Sequence, residues 1–194
     1  RRILLNGEVP DRKWRFSSEH KLVAQLSQNM NFVMDLSVRG FLELHAQSRG
    51  SRVGNDIVLR IFAMANELAG EPFELDVPIT SLSGGQSRAL MIADTALLSR
   101  SPIVLIDEIE NAGIDRRKAL DLLISEDKMV LMATHDPLLA LYGHRRIVLK
   151  NGAMTGEIVP TPAELANVEE LRRIDRRMMQ LRDRLRHGEL LEEI

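Results

Sequence analysis

The chain contains no cysteine. That excludes a disulfide framework and any thiolate metal site, and it fits a reducing compartment. No apolar run approaches the roughly 20 residues that span a bilayer. Charge of one sign is missing as well. The formal net charge is −2, with 26 basic and 28 acidic residues interspersed, which argues against a dedicated nucleic-acid surface. Lysine is scarce, five residues against 21 arginines. There is no internal repeat and no low-complexity tract. What is present is a hydrophobic fraction of 44% in 194 residues. That suffices for a real core and for one domain with an appendage.

Periodicity and turn residues divide the chain. Ile3 to Gly7 predicts a short strand ending in a turn, and Lys21 to Leu26 a second apolar stretch. Helical spacing runs from Leu36 to about Gly70, cut in two at Ser48-Arg49-Gly50-Ser51. Pro72 and Pro78 mark a loop over 71–81. Gln86 to Leu98, rich in Ala, Leu and Met, predicts a strong helix. Residues 103–107 and 129–133 are continuous apolar runs, expected to be strands buried on both faces of a parallel sheet. A helix is expected over 116–124, a short one over 137–142, and a strand over 147–149 closed by Asn151-Gly152. Strand, helix, strand, helix, strand predicts an α/β fold with parallel strands. After Pro160-Thr161-Pro162, Leu171, Ile174, Met178, Leu181 and Leu185 alternate spacings of three and four, an apolar stripe on a C-terminal helix. That helix either packs on its own domain or docks a partner. Arg172, Arg173, Arg176 and Arg177 read as a solvated face balanced by Glu169, Glu170 and Asp175.

Three segments carry the chemistry in a fixed order: Leu82-Ser83-Gly84-Gly85-Gln86, then Ile103-Val104-Leu105-Ile106-Asp107-Glu108, then Thr134-His135-Asp136. Together they resemble the signature loop, Walker B strand and switch histidine of ABC-type ATPases. Gln28, in the run Gln28 to Val38 with its Leu36-Ser37-Val38, is similar to that family's Q-loop. The resemblance covers about residues 3–159. It implies an α/β, parallel-sheet, P-loop NTPase-like ABC cassette core with a small α-helical subdomain and a C-terminal helix. The expected division is a RecA-like core over 1–35 and 83–159, a helical subdomain over 36–82, and an extension over 160–194.

Phosphoryl transfer needs a held nucleotide, charge offset by Mg²⁺ and N–H or cationic donors, and a water aimed in line. Asp107 suits the metal, because ligands bind at the carboxyl ends of strands in α/β sheets. Burying an unpaired charge there without such a use would be costly. By the resemblance, Glu108 is the general base that polarises water, with Glu110 an alternative two residues on. His135 would link the γ-phosphate to that water, and Gln28 would approach Mg²⁺ or the water. Ser83, Gly84, Gly85 and Gln86 would offer a phosphate a close backbone and a helix N-terminus, completing the ATP site of a second cassette in a head-to-tail dimer. Asp115 is the candidate for the D-loop acid. His20, His45, His144 and His187 have no such context and read as ordinary.

Two features depart from the family pattern. The phosphate-cradling loop G-x-x-x-x-G-K-[ST] does not occur; none of Lys13, Lys21, Lys118, Lys128 and Lys150 follows a glycine. Since the chain opens on Arg1-Arg2, the expectation is a piece of a longer protein whose preceding part carries that loop, binding ATP poorly alone. A degenerate ATPase is the alternative. The run Ile109-Glu110-Asn111-Ala112-Gly113-Ile114-Asp115 is one residue longer than usual. With Asp107-Glu108 it looks like soluble repair and chromosome-organising ATPases. The flanks, Thr134-His135-Asp136-Pro137 and Arg146-Ile147-Val148-Leu149-Lys150-Asn151-Gly152, look like a transporter cassette. The function expected is ATP hydrolysis driving transport through a membrane permease subunit, at the cytoplasmic face of the membrane. A soluble ATPase acting on nucleic acid or a protein complex, or a non-hydrolysing cassette, stands as the alternative.

Overall fold

The computed structural model describes residue 4 and residues 7–10, 21–27, 32–49, 55–111 and 113–191. Most of the strand expected at 3–7, and Gln28, lie outside the described residues. The chain forms two compact units, Arg1–Ala133 and Thr134–Ile194.

The first unit holds a parallel three-stranded sheet in the order β1 (Val23–Leu26), β2 (Ile103–Asp107), β3 (Met129–Ala133). Val23 pairs with Ile103 and Ile103 with Met129, so Ala24, Val104 and Val130 share one face with Leu26, Ile106 and Met132. Helices α3 (Gly84–Leu98) and α4 (Arg116–Ser125) pack against these strands. The opposite face differs from the sequence expectation of strands buried on both sides. Leu105 is 36% exposed, Leu131 42% and Met129 62%. Side chains alternate across a sheet, so a partly open face leaves every second apolar residue accessible.

The remaining helices, α1 (Val38–Ser48) and α2 (Asn55–Leu68), build the main core with α3. Leu42, Ile61, Leu90 and Ile79 are fully buried within it. The sequence expectation of two helices divided near 48–51 holds. α1 starts where Ser37 Oγ accepts from the Gly40 N–H at 3.1 Å. Its first free N–H groups are not left orphaned: Val38 donates to Val77 O and Arg39 to Leu75 O. Those bonds, and Ile79 N–H to Leu36 O at 2.9 Å, stitch the 71–81 loop to α1. Asn66 fixes the other end of that loop, accepting from Phe73 N–H at 2.8 Å and donating back to Phe73 O at 3.2 Å. The loop ends in a short 3₁₀ turn, Ile79–Ser81.

In the second unit the 147–149 strand departs from expectation. β4 (Arg146–Lys150) is not part of the parallel sheet but pairs antiparallel with β5 (Ala153–Ile158). Asn151 and Gly152 both have positive φ, 52° and 75°. Two such residues form a primed turn, whose twist matches a two-residue hairpin, so Asn-Gly makes a hairpin and not a strand end. α5 (Pro137–Tyr142) starts at Asp136, whose Oδ1 accepts from Leu138 and Leu139 N–H, with Pro137 at the first helical position. α6 (Pro162–Arg186) packs on α5. Thr161 and Glu164 form a reciprocal capping box at its start. Its arginines form the expected solvated face: Arg173 meets Glu170 at 2.8 Å and Arg176 meets Glu169 at 3.1 Å. Its apolar stripe is divided, Leu181 buried but Ile174, Met178 and Leu185 about half exposed. No helix among the described residues is long and apolar enough to cross a membrane.

Candidate functional site

β2 delivers two carboxylates to the C-terminal edge of the parallel sheet. Asp107 is its last residue and is exposed; Glu108 is the first residue beyond it and half-buried. Ile109, the next residue, is fully buried and opens a 3₁₀ turn, Ile109–Asn111. To turn from strand into that buried anchor, Glu108 adopts φ +46°, the left-handed region. For a residue with a Cβ this costs about 1–2 kcal/mol, and it persists only where the surroundings fix it. Both backbone groups of Glu108 are held. Its N–H donates to Ala133 O, the end of β3, at 3.1 Å. Its carbonyl accepts from Arg88 Nη1 at 3.1 Å.

Arg88 lies on α3 and is 5% exposed. Its Nη2 donates to Ser27 O at 3.1 Å. Burial pushes its guanidinium below the ordinary arginine range, and Asp107, Glu108 and Glu110 oppose that shift by favouring the cation. The structure thus brings the acid pair, Glu110 and the segment immediately before Gln28 around one buried cation.

One turn before Arg88, the helix begins at Gly84 and not near Gln86 as the sequence suggested. A capping box accounts for the shift. Gln86 N–H donates to Ser83 Oγ at 3.3 Å and Ser83 N–H to Gln86 Oε1 at 2.9 Å, making Ser83 the N-cap. The Gln86 amide nitrogen donates to the carbonyls of Glu71 and Pro72, so both ends of that side chain are engaged within the chain. Ser83 and Gly84 are exposed, and a Cβ on Gly84 would meet nothing within 4 Å. The start of the helix at Gly84 is therefore open to solvent, where a helix N-terminus carries partial positive charge.

Asp115 caps α4, accepting from Lys118 N–H at 3.1 Å while its own N–H donates to Leu68 O at 2.9 Å. His135 belongs to the second unit, where it is exposed between the end of β3 and α5. Among the described residues no three His, Cys, Asp or Glu side chains gather to hold a metal ion. The donor set still fits Mg²⁺. That ion binds through one or two carboxylates plus phosphate and water, and exposed Asp107 supplies such a carboxylate.

Sequence reasoning missed Arg88 and the Asp94–His45 pair. α3 is buried nearly all round, with Ala89, Leu90, Ile92 and Ala93 all inaccessible. A helix that is buried on every side cannot leave its charges in water. Two charges inside such a run, Arg88 and Asp94, were the available signal. Asp94, 1% exposed, accepts from His45 Nδ1 at 2.8 Å, joining α3 to α1. His45 is thus the hydrogen-bond partner of a buried carboxylate and not an ordinary histidine.

No family model matches the chain. It is 50% identical over 191 residues to an uncharacterized ABC transporter ATP-binding protein of Methanocaldococcus jannaschii, covering 98% of this chain and 73% of that one. It is 25% identical over 145 residues to the lipoprotein-releasing system ATP-binding protein LolD of Aquifex aeolicus, covering 72% of this chain and 58% of that one. Among solved structures, an ATP-binding subunit of an ABC transporter superposes with TM-score 0.64 at 20% identity, over 81% of this chain and 66% of that one. A dimeric, post-hydrolysis ATP-binding cassette bound to ADP and Pi superposes with TM-score 0.54 at 27% identity, over 72% of this chain and 63% of that one.

Proposed function

The chain belongs to the ABC transporter ATP-binding proteins, and from that premise we propose that it serves ATP hydrolysis in the full-length protein, driving transport through a permease partner. The observation that carries this reading is Glu108, held in a left-handed conformation at both its backbone groups directly after Asp107. Strain that is fixed so fully at a sheet's carboxyl edge marks a site where a side chain must be aimed.

In this reading Asp107 holds Mg²⁺, with Gln28 as a second approach to it. The ion would offset phosphate charge. Glu108 accepts a proton from the attacking water, a general-base contribution typically worth about 10²–10⁴-fold. His135, able to donate from one ring nitrogen and accept at the other, links the γ-phosphate to that water. Ser83 and the N–H groups of Gly84 and Gly85 receive the triphosphate held by a second cassette, with Gln86 shaping the turn. Asp115 contributes at the cassette boundary. Two copies, or this chain and a related one, then share two nucleotides head to tail. The solved cassette described as dimeric and bound to ADP and Pi supports the pairing. The protein would work at the cytoplasmic face of the membrane.

The test is turnover of the full-length Glu108→Gln variant. Loss of steady-state hydrolysis with ATP binding retained is expected; unchanged turnover would overturn the assignment. The run Asp107-Glu108-Ile109-Glu110-Asn111 favours a second reading, a soluble ABC-type ATPase acting on a nucleic acid or a protein complex. Stimulation of hydrolysis by DNA, in place of co-purification with a polytopic membrane subunit, would select it.

A further inference from the structure

We propose that Arg88 is the positioning residue of the acid pair, fixing the backbone that aims Glu108 and tying it to the helix that starts at the glycine turn. The inference rests on the reading of Glu108 as general base. A cation 5% exposed must be paired to be tolerated. Arg88 spends two of its donors on main-chain carbonyls of two separate segments, Glu108 O and Ser27 O, each at 3.1 Å. One of these belongs to the residue with the left-handed backbone. The other directly precedes Gln28 in the chain. Only a planar fork with donors on two nitrogens spans two acceptors in this way; a lysine ammonium is a single point.

The geometry has a consequence for the site as a whole. Arg88 follows Gly84 by about one helical turn on α3. The element that presents Ser83 and Gly84 outward is therefore bonded, through one side chain, to the backbone carrying the acids. Without the guanidinium the Glu108 carbonyl loses its 3.1 Å bond from Arg88, and with it one of the two backbone bonds that fix the strained conformation. The carboxylate is then aimed less firmly.

Full-length Arg88→Lys and Arg88→Met are the variants to compare with wild type and Glu108→Gln. Fold is checked by circular dichroism, and turnover is normalised to the number of ATP molecules bound per chain. Arg88→Lys is expected to lose about 10²-fold in kcat, the scale of a 1 Å misplacement of a reacting group, with KM for ATP within about twofold of wild type. Arg88→Met is expected to lose at least as much; should it fail to fold, Arg88→Lys, which keeps charge and length, carries the test. A merely structural role would reduce the bound fraction and leave kcat per bound ATP unchanged, which would overturn the proposal. If Glu108→Gln is inactive and Arg88→Lys is not slowed, only the positioning role falls. If Glu108→Gln hydrolyses ATP like wild type, the catalytic reading fails and the positioning role falls with it.

Discussion

Replacing His45 by alanine isolates the buried charge on α3. Asp94 Oδ1 receives its hydrogen bond from His45, and its Oδ2 is buried with no hydrogen-bond partner among the described residues. The other ring nitrogen of His45 lies 3.2 Å from Arg49 Nη2. A guanidinium only donates, so that nitrogen accepts and Nδ1 carries the proton given to Asp94. His45→Ala therefore strips Asp94 of its donor. Removing one partner of a fully buried pair costs about 3–5 kcal/mol. The His45 side chain is 25% exposed, so water enters the gap and the loss falls toward about 2–3 kcal/mol. For a chain of this size that lowers Tm by roughly 4–12 °C. Urea denaturation followed by far-ultraviolet circular dichroism gives the free energy, and the unchanged slope checks that the same surface unfolds. The double variant His45→Leu, Asp94→Leu removes both partners and is expected to lie within about 1 kcal/mol of wild type. Additive single and double effects, or a His45→Ala loss below about 0.5 kcal/mol, would refute the claim that the pair holds α1 to α3.

Three further outcomes follow from the caps, turns and ion pairs. Ser83→Ala removes the capping box of α3 and is expected to cost about 1 kcal/mol, read as a lower urea midpoint. Gly152→Ala places a Cβ at φ +75° and is expected to destabilise the β4–β5 hairpin by about 1 kcal/mol, seen as faster amide exchange in those strands. Glu164 sits below its ordinary value of 4.5 because it accepts from the Arg146 guanidinium and the Thr161 N–H. A carboxyl lowered by folding contributes above its unfolded pKa and loses that contribution as pH falls through the folded one. The start of α6 should therefore loosen as the solution is acidified from the ordinary carboxylate pKa of 4.5 downward. Glu164→Gln should flatten that dependence in amide exchange at Leu165.

The parts of the fold legible in the sequence were those with local causes. The strand over 103–107 follows from an apolar run ended by an acid. The breaks between helices follow from glycine and proline. What stayed hidden was set by partners distant in sequence. Whether Leu105 and Leu131 are covered depends on what stands against that sheet face, and no strand pattern states it. Asn151-Gly152 carried a hairpin signal, yet the strand after it, Ala153–Ile158, is too weakly apolar to declare itself. The acid pair and the glycine turn were legible as motifs. Arg88 was not, because its bonds go to main-chain carbonyls 20 and 61 residues away, and carbonyls carry no sequence signature. Asp94 and His45, 49 residues apart, were hidden for the same reason.

The account turns on a glycine turn in one copy serving the acids of another, and mixing two inactive full-length variants tests this directly. Glu108→Gln disables the acid. Gly84→Asp sets a carboxylate where the structure has open space, so the chain folds while repelling a phosphate. Each variant alone is expected to be inactive. Mixed, they form one site that pairs an intact Glu108 with an intact glycine turn from the other copy, and hydrolysis returns. A mixture as inactive as its components, with mixed dimers shown to form, would contradict the shared site.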